Sequence, residues 1–214
     1  MLIISEKDAD AVAIACKFLS EGKVIAFATD TVYGIAADAT NSLAVEKIYH
    51  LKKRQKNKAL AILLPNLTVA EKIFIFSNLA KKIAAKFFPD ALTLVLKKLP
   101  TCAVKLSPLL NTNNENDDYL AFRIISKNFA CDLLKKSNMI LALTSANISG
   151  DQPAVAAAQI SENSDLSELD LLIDGGICKE NITSTIVKID EDKIEFLRHG
   201  KIDKSLILEV LNDE

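Results

Sequence analysis

The sequence predicts a single α/β domain with a mixed β-sheet. Short apolar runs such as Val24–Ala28, Leu60–Leu64 and Met139–Thr144 are bounded by turn residues, as in strands buried on both faces. Helical patterns lie between them, which argues for strands and helices interleaved in one layer structure. The chain has 214 residues, half of them apolar and a quarter charged. That suits one domain, which at this size buries roughly 70% of its unfolded surface. Disorder, collagen and coiled coil are excluded by composition.

The elements follow in order. Leu2–Ile4 reads as a short strand, and Ser5 with Asp8 three residues on reads as the cap of a first helix. Val12, Ala15, Cys16 and Leu19 line one face of that helix, and Gly22 ends it. After the strand Val24–Ala28, Asn41 caps a second helix running to about Leu51, with Leu43, Lys47, Ile48 and Leu51 at helical spacing. A polar loop, Lys52–Lys58, leads into the strand Leu60–Leu64, which Pro65 stops. Helices are expected at about 68–75 and 78–87, then a strand at Ala91–Lys97. Pro100 to Asp118 lacks periodicity and reads as a surface loop or lid. Strands at Tyr119–Ile124 and Met139–Thr144 flank a helix at 128–136, and Val155–Ile160 forms a short helix after Pro153. Leu171–Ile173, Ser184–Ile189 and Lys193–Leu197 complete the strands, and a last helix covers about Ser205–Leu211. The expected organisation is a catalytic domain over 1–200 with 201–214 as a C-terminal helix packed on it.

The net charge of −2 hides an asymmetry, +7 over residues 1–107 and −9 over 108–214. Five cations fall within the seven residues Lys52–Lys58. One short basic loop on a mildly acidic chain fits a small polyanion such as a nucleotide better than a nucleic-acid surface. The four cysteines lie far apart with no CxxC pair, and His50 and His199 are the only imidazoles. No protein metal site and no disulfide framework is expected. No apolar run approaches the roughly 20 residues of a membrane span, and no basic region precedes an apolar stretch at the N-terminus. The expectation is a cytoplasmic protein.

Polar residues gather directly after predicted strands at four places, where open α/β sheets hold ligands. These are Thr29-Asp30-Thr31-Val32-Tyr33-Gly34, the basic loop 52–58, Thr144-Ser145-Ala146-Asn147-Ile148-Ser149-Gly150, and the group Asp174-Gly175-Gly176, Ser184-Thr185 and Arg198-His199-Gly200. Taken singly, each also fits an ordinary turn, a solvated loop or a helix cap. Ser145 and Asn147 alternate, so an extended chain points both to one side. Arg123 sits at the end of an apolar strand and needs an anion, either a structural carboxylate or a ligand's. Neither the P-loop spacing nor the dinucleotide fingerprint is present, and no Ser/His/Asp triad stands out.

In this order the segments resemble the YrdC-like family, the threonylcarbamoyl-adenylate synthases. The resemblance runs from about Val24 to Gly200 and rests on Thr-Asp-Thr-Val-Tyr-Gly at 29–34, Lys-x-Arg at 52–54, Thr-Ser-Ala-Asn-x-Ser-Gly at 144–150, Asp-Gly-Gly at 174–176, Ser-Thr at 184–185 and Leu-Arg-x-Gly at 197–200. It implies a twisted mixed sheet flanked by helices around a concave basic cavity. It implies a reaction joining L-threonine, bicarbonate and ATP into threonylcarbamoyl-adenylate and pyrophosphate, the first step of tRNA threonylcarbamoyladenosine modification. By the family pattern Lys52 and Arg54 are the catalytic pair. Arg54, Lys58, Ser145, Asn147 and Arg198 bind ATP, and Thr31, Arg123 and Ser184 hold the threonine. Mg²⁺ is expected with ATP and without a dedicated protein site. The implied partners are the downstream tRNA threonylcarbamoyl transferase proteins, with weak tRNA or RNA binding and no membrane.

The chain departs from the family pattern at several points. Ala28 and Gln55 stand where prolines are usual, Phe88-Pro89-Asp90-Ala91 replaces Trp-Pro-Gly-Pro, and Lys127-Asn128 replaces His-Pro. Each lost proline is expected to cost about 0.5–1 kcal/mol in unfolded-state entropy without removing a ligand contact. Two alternatives accompany the synthase reading. A non-catalytic RNA-binding module is opposed by the acidity and by the absence of Trp. Carbamoyl-adenylate synthesis in hydrogenase maturation goes with extra zinc-binding domains, whereas this chain resembles the short, single-domain form.

Overall fold

In the computed structural model, which describes residues 1–111, 118–126, 128–191 and 193–210, the apolar runs pair into one sheet. Its ten strands are β1 (Leu2–Ser5), β2 (Ile25–Ala28), β3 (Tyr33–Asp38), β4 (Ala61–Leu63), β5 (Leu92–Lys97), β6 (Tyr119–Arg123), β7 (Leu141–Ser145), β8 (Leu171–Asp174), β9 (Thr185–Asp190) and β10 (Lys193–Arg198). They lie in the order β1-β8-β2-β3-β7-β4-β6-β5-β9-β10. The pairs β1/β8, β2/β8, β4/β6 and β5/β9 are parallel and the others antiparallel, so the sheet is mixed. The helices are α1 (Ala11–Ser20), α2 (Ser42–Leu51), α3 (Leu67–Ala70), α4 (Asn78–Phe87), α5 (Asn128–Ser137), α6 (Ala157–Ser161) and α7 (Lys204–Glu209). None is long and apolar enough to cross a membrane.

Successive residues of a strand point to opposite faces, so the sheet carries two apolar layers. On one face α2, α3, α4, α6 and α7 pack Ile48, Ala70, Ile83, Ile160 and Ile207 over Ile35, Ile62, Leu94, Phe122 and Val187. On the other, α1 and α5 set Ala11, Ala15 and Leu19 beside Phe129, Leu133 and Leu134, over Phe27, Ala36, Leu63, Leu141 and Ile173. Only these two helices cover that second face, and they leave half of it bare. Register identifies the bare half. Gly34, Ala61 and Leu143 share the face of Ala36, Leu63 and Leu141, and the pairings continue it through Ala121, Thr93 and Ile186. Three of these six residues are Gly or Ala, so the bare half is a shallow floor rather than a filled core.

Local sequence accounts for most element ends. Asn41 caps α2 by accepting from the Leu43 and Ala44 amides, and Ser77 caps α4 through the Ala80 amide. Several expectations need correction. Ser5 and Asp8 close a turn on each other, Asp8 accepting from the Ser5 amide, so α1 begins only at Ala11 and Ser5 does not cap it. The buried face of α2 is Ala44, Val45, Ile48, Tyr49 and Leu51, and Leu43 is 73% exposed. The helix expected at 68–75 stops at Ala70, because the following backbone turns out to meet β5, Ile75 N donating to Lys97 O. β3 is not among the expected strands: Gly34, Ala36 and Ala37 blur any alternation around its single β-branched residue, Ile35. The proposed end of the last helix at Leu211, the middle of the 100–118 loop and Lys127 lie outside the described residues. Ile202, Ile207 and Val210 join the main core.

Gly200, just past β10, lies against β9. A Cβ there would collide with the backbone of Thr183, Ser184 and Thr185, so only glycine lets Lys201 N reach Thr183 O. Gly200→Ala is expected to destabilise the protein by roughly 1–3 kcal/mol through overpacking against main chain. A urea titration of the variant beside the wild type measures this.

Candidate active site

The bare half-face is the floor of an open cleft of about 720 Å³, counted out to its mouth and including open solvent. Its walls come from the polar segments that follow the strands. Thr29, Thr31 and Tyr33 enter from the β2–β3 connection, Arg54 from the loop after α2, Arg123 from the end of β6, Thr144 and Ser145 from β7, Thr183 and Ser184 from the start of β9, and Arg198 from the end of β10. Among the described residues, no Asp or Glu lines the cleft.

Each guanidinium is held by protein oxygens. Arg54 Nε donates to Lys58 O at 3.0 Å and its Nη2 to Ala59 O at 2.9 Å. Arg198 Nε donates to Ser184 O at 3.0 Å and its Nη2 to Ser184 Oγ at 2.9 Å. Among the described residues neither has a carboxylate partner. Burial lowers the pKa of both, and Arg198 is pushed down to about 10, with Arg123 and Arg54 adding repulsion. Arg123, 7% exposed, is paired: its Nη2 donates to Asp30 Oδ1 at 2.9 Å and its Nη1 to Thr31 Oγ1 at 3.2 Å. Burial pushes the Asp30 carboxyl up even against the charge of Arg123. Asp30 Oδ2 and Arg123 Nε are buried without a partner.

The remaining expected residues stand behind the wall. Lys52 is 1% exposed and does not line the cleft. Its Nζ donates to Ser145 O at 2.5 Å, Asn147 O at 2.6 Å and Asn147 Oδ1 at 3.0 Å, which uses all three of its N–H groups. Asn147 also stands outside the lining. Its Oδ1 accepts from Ser145 Oγ at 2.6 Å, and its Nδ2 donates to Ile148 O and Asp151 O. Lys58 is exposed with its side chain off the lining, while its carbonyl accepts from Arg54 and from Tyr49. So Thr31, Arg54, Arg123, Ser145, Ser184 and Arg198 are brought together at the cleft, and Lys52, Lys58 and Asn147 are not on it.

Other residues complete the site. Thr29 Oγ1 donates to Val32 O at 2.6 Å and accepts from the Thr31 amide, closing the turn that presents Thr31. Tyr33 hydroxyl donates to Gly176 O at 2.7 Å and accepts from the Gly175 amide, pinning the Asp-Gly-Gly turn to the same wall. Thr93 lines the cleft from β5, next to Ser184. A lone hydroxyl in the apolar run Leu92–Leu96 is the same kind of signal that singled out Arg123.

An α/β domain that gathers three guanidiniums and a row of hydroxyls, with no carboxylate among the described lining residues, presents a cleft whose chemistry suits an anion. Its family follows from likeness to known proteins. Residues 17–200 match the Sua5/YciO/YrdC family model, described as "Telomere recombination", and the chain belongs to that family. It is 32% identical over 201 residues to the threonylcarbamoyl-AMP synthase of Bacillus subtilis, covering 94% of this chain and 56% of that one. A Methanocaldococcus jannaschii protein that bears the same name provisionally is 38% identical over 186 residues, 87% of this chain and 84% of its own. Thus the chain spans little more than half of the Bacillus relative. The structure of Pyrococcus abyssi Sua5 complexed with L-threonine superposes with a TM-score of 0.87 at 28% identity, over 99% of this chain and 61% of that one. Escherichia coli YciO, 19% identical with a TM-score of 0.81 over 94% of this chain and 95% of that one, shares the fold.

Burial and the neighbouring Arg54 charge lower the Lys52 pKa to about 7 from an ordinary 10.5. Between these values the unfolded chain keeps a proton that the folded protein has released, so stability rises with pH across the window. Lys52→Met is expected to flatten that slope. It also leaves the Ser145 and Asn147 carbonyls short of a donor, at about 2 kcal/mol near neutral pH. Urea titrations at about pH 7 and about pH 9 on both proteins check the two effects.

Proposed function

We propose that this protein is a nucleotidyltransferase that makes threonylcarbamoyl-adenylate and pyrophosphate from L-threonine, bicarbonate and ATP, the first step of tRNA threonylcarbamoyladenosine modification. The observation that carries the reading is the cleft itself: Arg54, Arg123 and Arg198 converge over an apolar floor with no lining carboxylate, in a family whose relatives are named for this activity.

The chemistry drives anion onto anion. The threonine amine attacks the bicarbonate carbon and water leaves, giving a carbamate. A carbamate oxygen then attacks the α-phosphorus of ATP and pyrophosphate departs. Two unit charges about 4 Å apart repel by roughly 4 kcal/mol at an effective dielectric of 20. Guanidiniums fixed in place beforehand offset that repulsion and the charge growing on pyrophosphate. Arg54 and Arg198 suit the phosphates because they are charged, fixed and free of carboxylates. Arg123, with Thr31 on its Nη1, suits the threonine carboxylate. Ser145 and Ser184 hold reactants in line. Lys52 and Asn147 act through Ser145: they fix the turn that presents its hydroxyl. Lys58 stands where it meets ATP only from the rim.

Mg²⁺ enters with ATP. The phosphate oxygens of ATP would carry the ion, which would help neutralise the charge on the departing pyrophosphate. The acyl-adenylate is a reactive mixed anhydride, so a cytoplasmic tRNA threonylcarbamoyl transferase is the partner that consumes it.

Pyrophosphate release by the pure protein with ATP, Mg²⁺, bicarbonate and L-threonine, each omitted in turn, tests the reading. Release is expected only with all four. Release without threonine makes the protein a plain ATPase, and retained RNA binding without any release makes it a binding module. Arg54→Ala is expected to abolish most activity while the far-ultraviolet circular dichroism is unchanged, because the residue belongs to a loop. Arg123→Lys keeps a cation for Asp30 but loses the fork. Its threonine KM is expected to rise by about tenfold or more while the ATP KM stays within about twofold, as for one lost charged hydrogen bond.

A further inference from the structure

Strand β5 carries one hydroxyl, Thr93, among apolar neighbours, and it is 3% exposed at the cleft. Its Oγ1 lies 2.8 Å from Ser184 Oγ, and Arg198 Nη2 donates to that same Ser184 oxygen. A count of protons is informative here. Each hydroxyl has one proton and two lone pairs, and the guanidinium only donates. The contact between the two hydroxyls uses one of their two protons. If Thr93 donates to Ser184, the Ser184 proton is left over; if Ser184 donates, the Thr93 proton is. No other acceptor for either hydroxyl exists among the described residues. In both arrangements the spare O–H belongs to a residue lining the cleft, next to a guanidinium that lacks a carboxylate.

We infer that Thr93 is a ligand-positioning residue that works with Ser184 as one hydroxyl unit, offering a single O–H beside Arg198 to an anionic oxygen of the ligand. The proton can sit on either oxygen, so the unit meets a carboxylate or a phosphate oxygen at two adjacent positions without a rotamer change. When Thr93 donates to Ser184, Arg198 and Thr93 together fill both lone pairs of Ser184, which fixes the direction of the O–H that Ser184 offers to the ligand. This inference rests on reading the cleft as the synthase site, since that reading supplies the anions.

The test compares Thr93→Val, which keeps the shape and removes the hydroxyl, with Thr93→Ser, which restores it. A rise of about tenfold in one substrate's KM is expected for Thr93→Val, with kcat within about twofold and Thr93→Ser close to wild type. A rise confined to L-threonine assigns the unit to the carboxylate, and one confined to ATP assigns it to a phosphate. Because the two hydroxyls act together, Thr93→Val and Ser184→Ala are expected not to multiply in the double variant. Unchanged KM values in Thr93→Val, multiplicative losses in the double variant, or a Thr93→Ser as impaired as Thr93→Val overturn the proposal. Should the valine variant not fold, Thr93→Ala takes its place. Calorimetric binding of L-threonine and of inorganic pyrophosphate separates this inference from the reaction. If the wild type binds either one but shows no turnover, the synthase reading falls while a weakened Thr93→Val still supports the unit. Equal binding by both proteins, or none by the wild type, overturns it.

Discussion

Buried positive charge has to be answered, and this fold answers only part of it. Arg123 has Asp30, but Arg54, half-buried, and Arg198, more exposed at the end of its strand, meet only carbonyl and hydroxyl oxygens among the described residues. Removing a charge from water is unfavourable unless an opposite charge or good hydrogen bonds replace the lost solvent. The neutral oxygens fix the two side chains without cancelling their charge. The unbound protein therefore holds its cleft at a less favourable electrostatic free energy than the bound one, and an anionic ligand stabilises the native state by mass action. The absence of carboxylates from the described lining is part of the same arrangement, since one beside Arg198 would neutralise it and compete with the ligand.

The sheet makes such a cleft affordable. Five helices pack over one face, while α1 and α5 cover only half of the other. Where cover ends, Gly34, Ala61 and Ala121 keep the floor low. A Cβ on Gly34 would lie 2.8 Å from Leu143 Cδ1, so that side chain would have to shift. The wall segments are tied to each other rather than left to the ligand. Lys52 joins the end of α2 to the turn after β7, Tyr33 joins the β2–β3 connection to Gly175 and Gly176, and Gly200 brings β10 onto Ser184. A site preorganised in this way spends little free energy on ordering its own side chains when a ligand arrives.

The layers were legible because burial leaves a periodic trace: apolar runs for the strands, helical spacing for α1, a capping Asn before α2. β3 leaves little, since Gly34, Ala36 and Ala37 around its buried Tyr33 and Ile35 blur any alternation on a strand buried on both faces. The site was legible in its charges and not in its supports. Arg123 is conspicuous in an apolar strand, whereas Thr93 in the same setting passes for an ordinary strand residue. The family resemblance makes Lys52 a catalytic cation beside Arg54, whereas the crowd of five cations in that loop alone fits a solvated segment as well. Only three dimensions show that the Lys52 ammonium turns inward to backbone carbonyls. The pairing of Asp30 with Arg123 spans 93 residues, a separation no local pattern encodes.

That separation holds for the whole cleft. Its wall takes residues from Thr29 to Arg198, on strands whose neighbours in the sheet are seldom neighbours in sequence. Chains dominated by such distant pairings close long loops before any contact rewards them, and so fold slowly. No excised hairpin or half-sheet contains a usable fraction of the cleft. Occupancy of the cleft therefore reports on completion of the entire sheet, and during refolding the capacity to hold an anion is expected among the last properties to return.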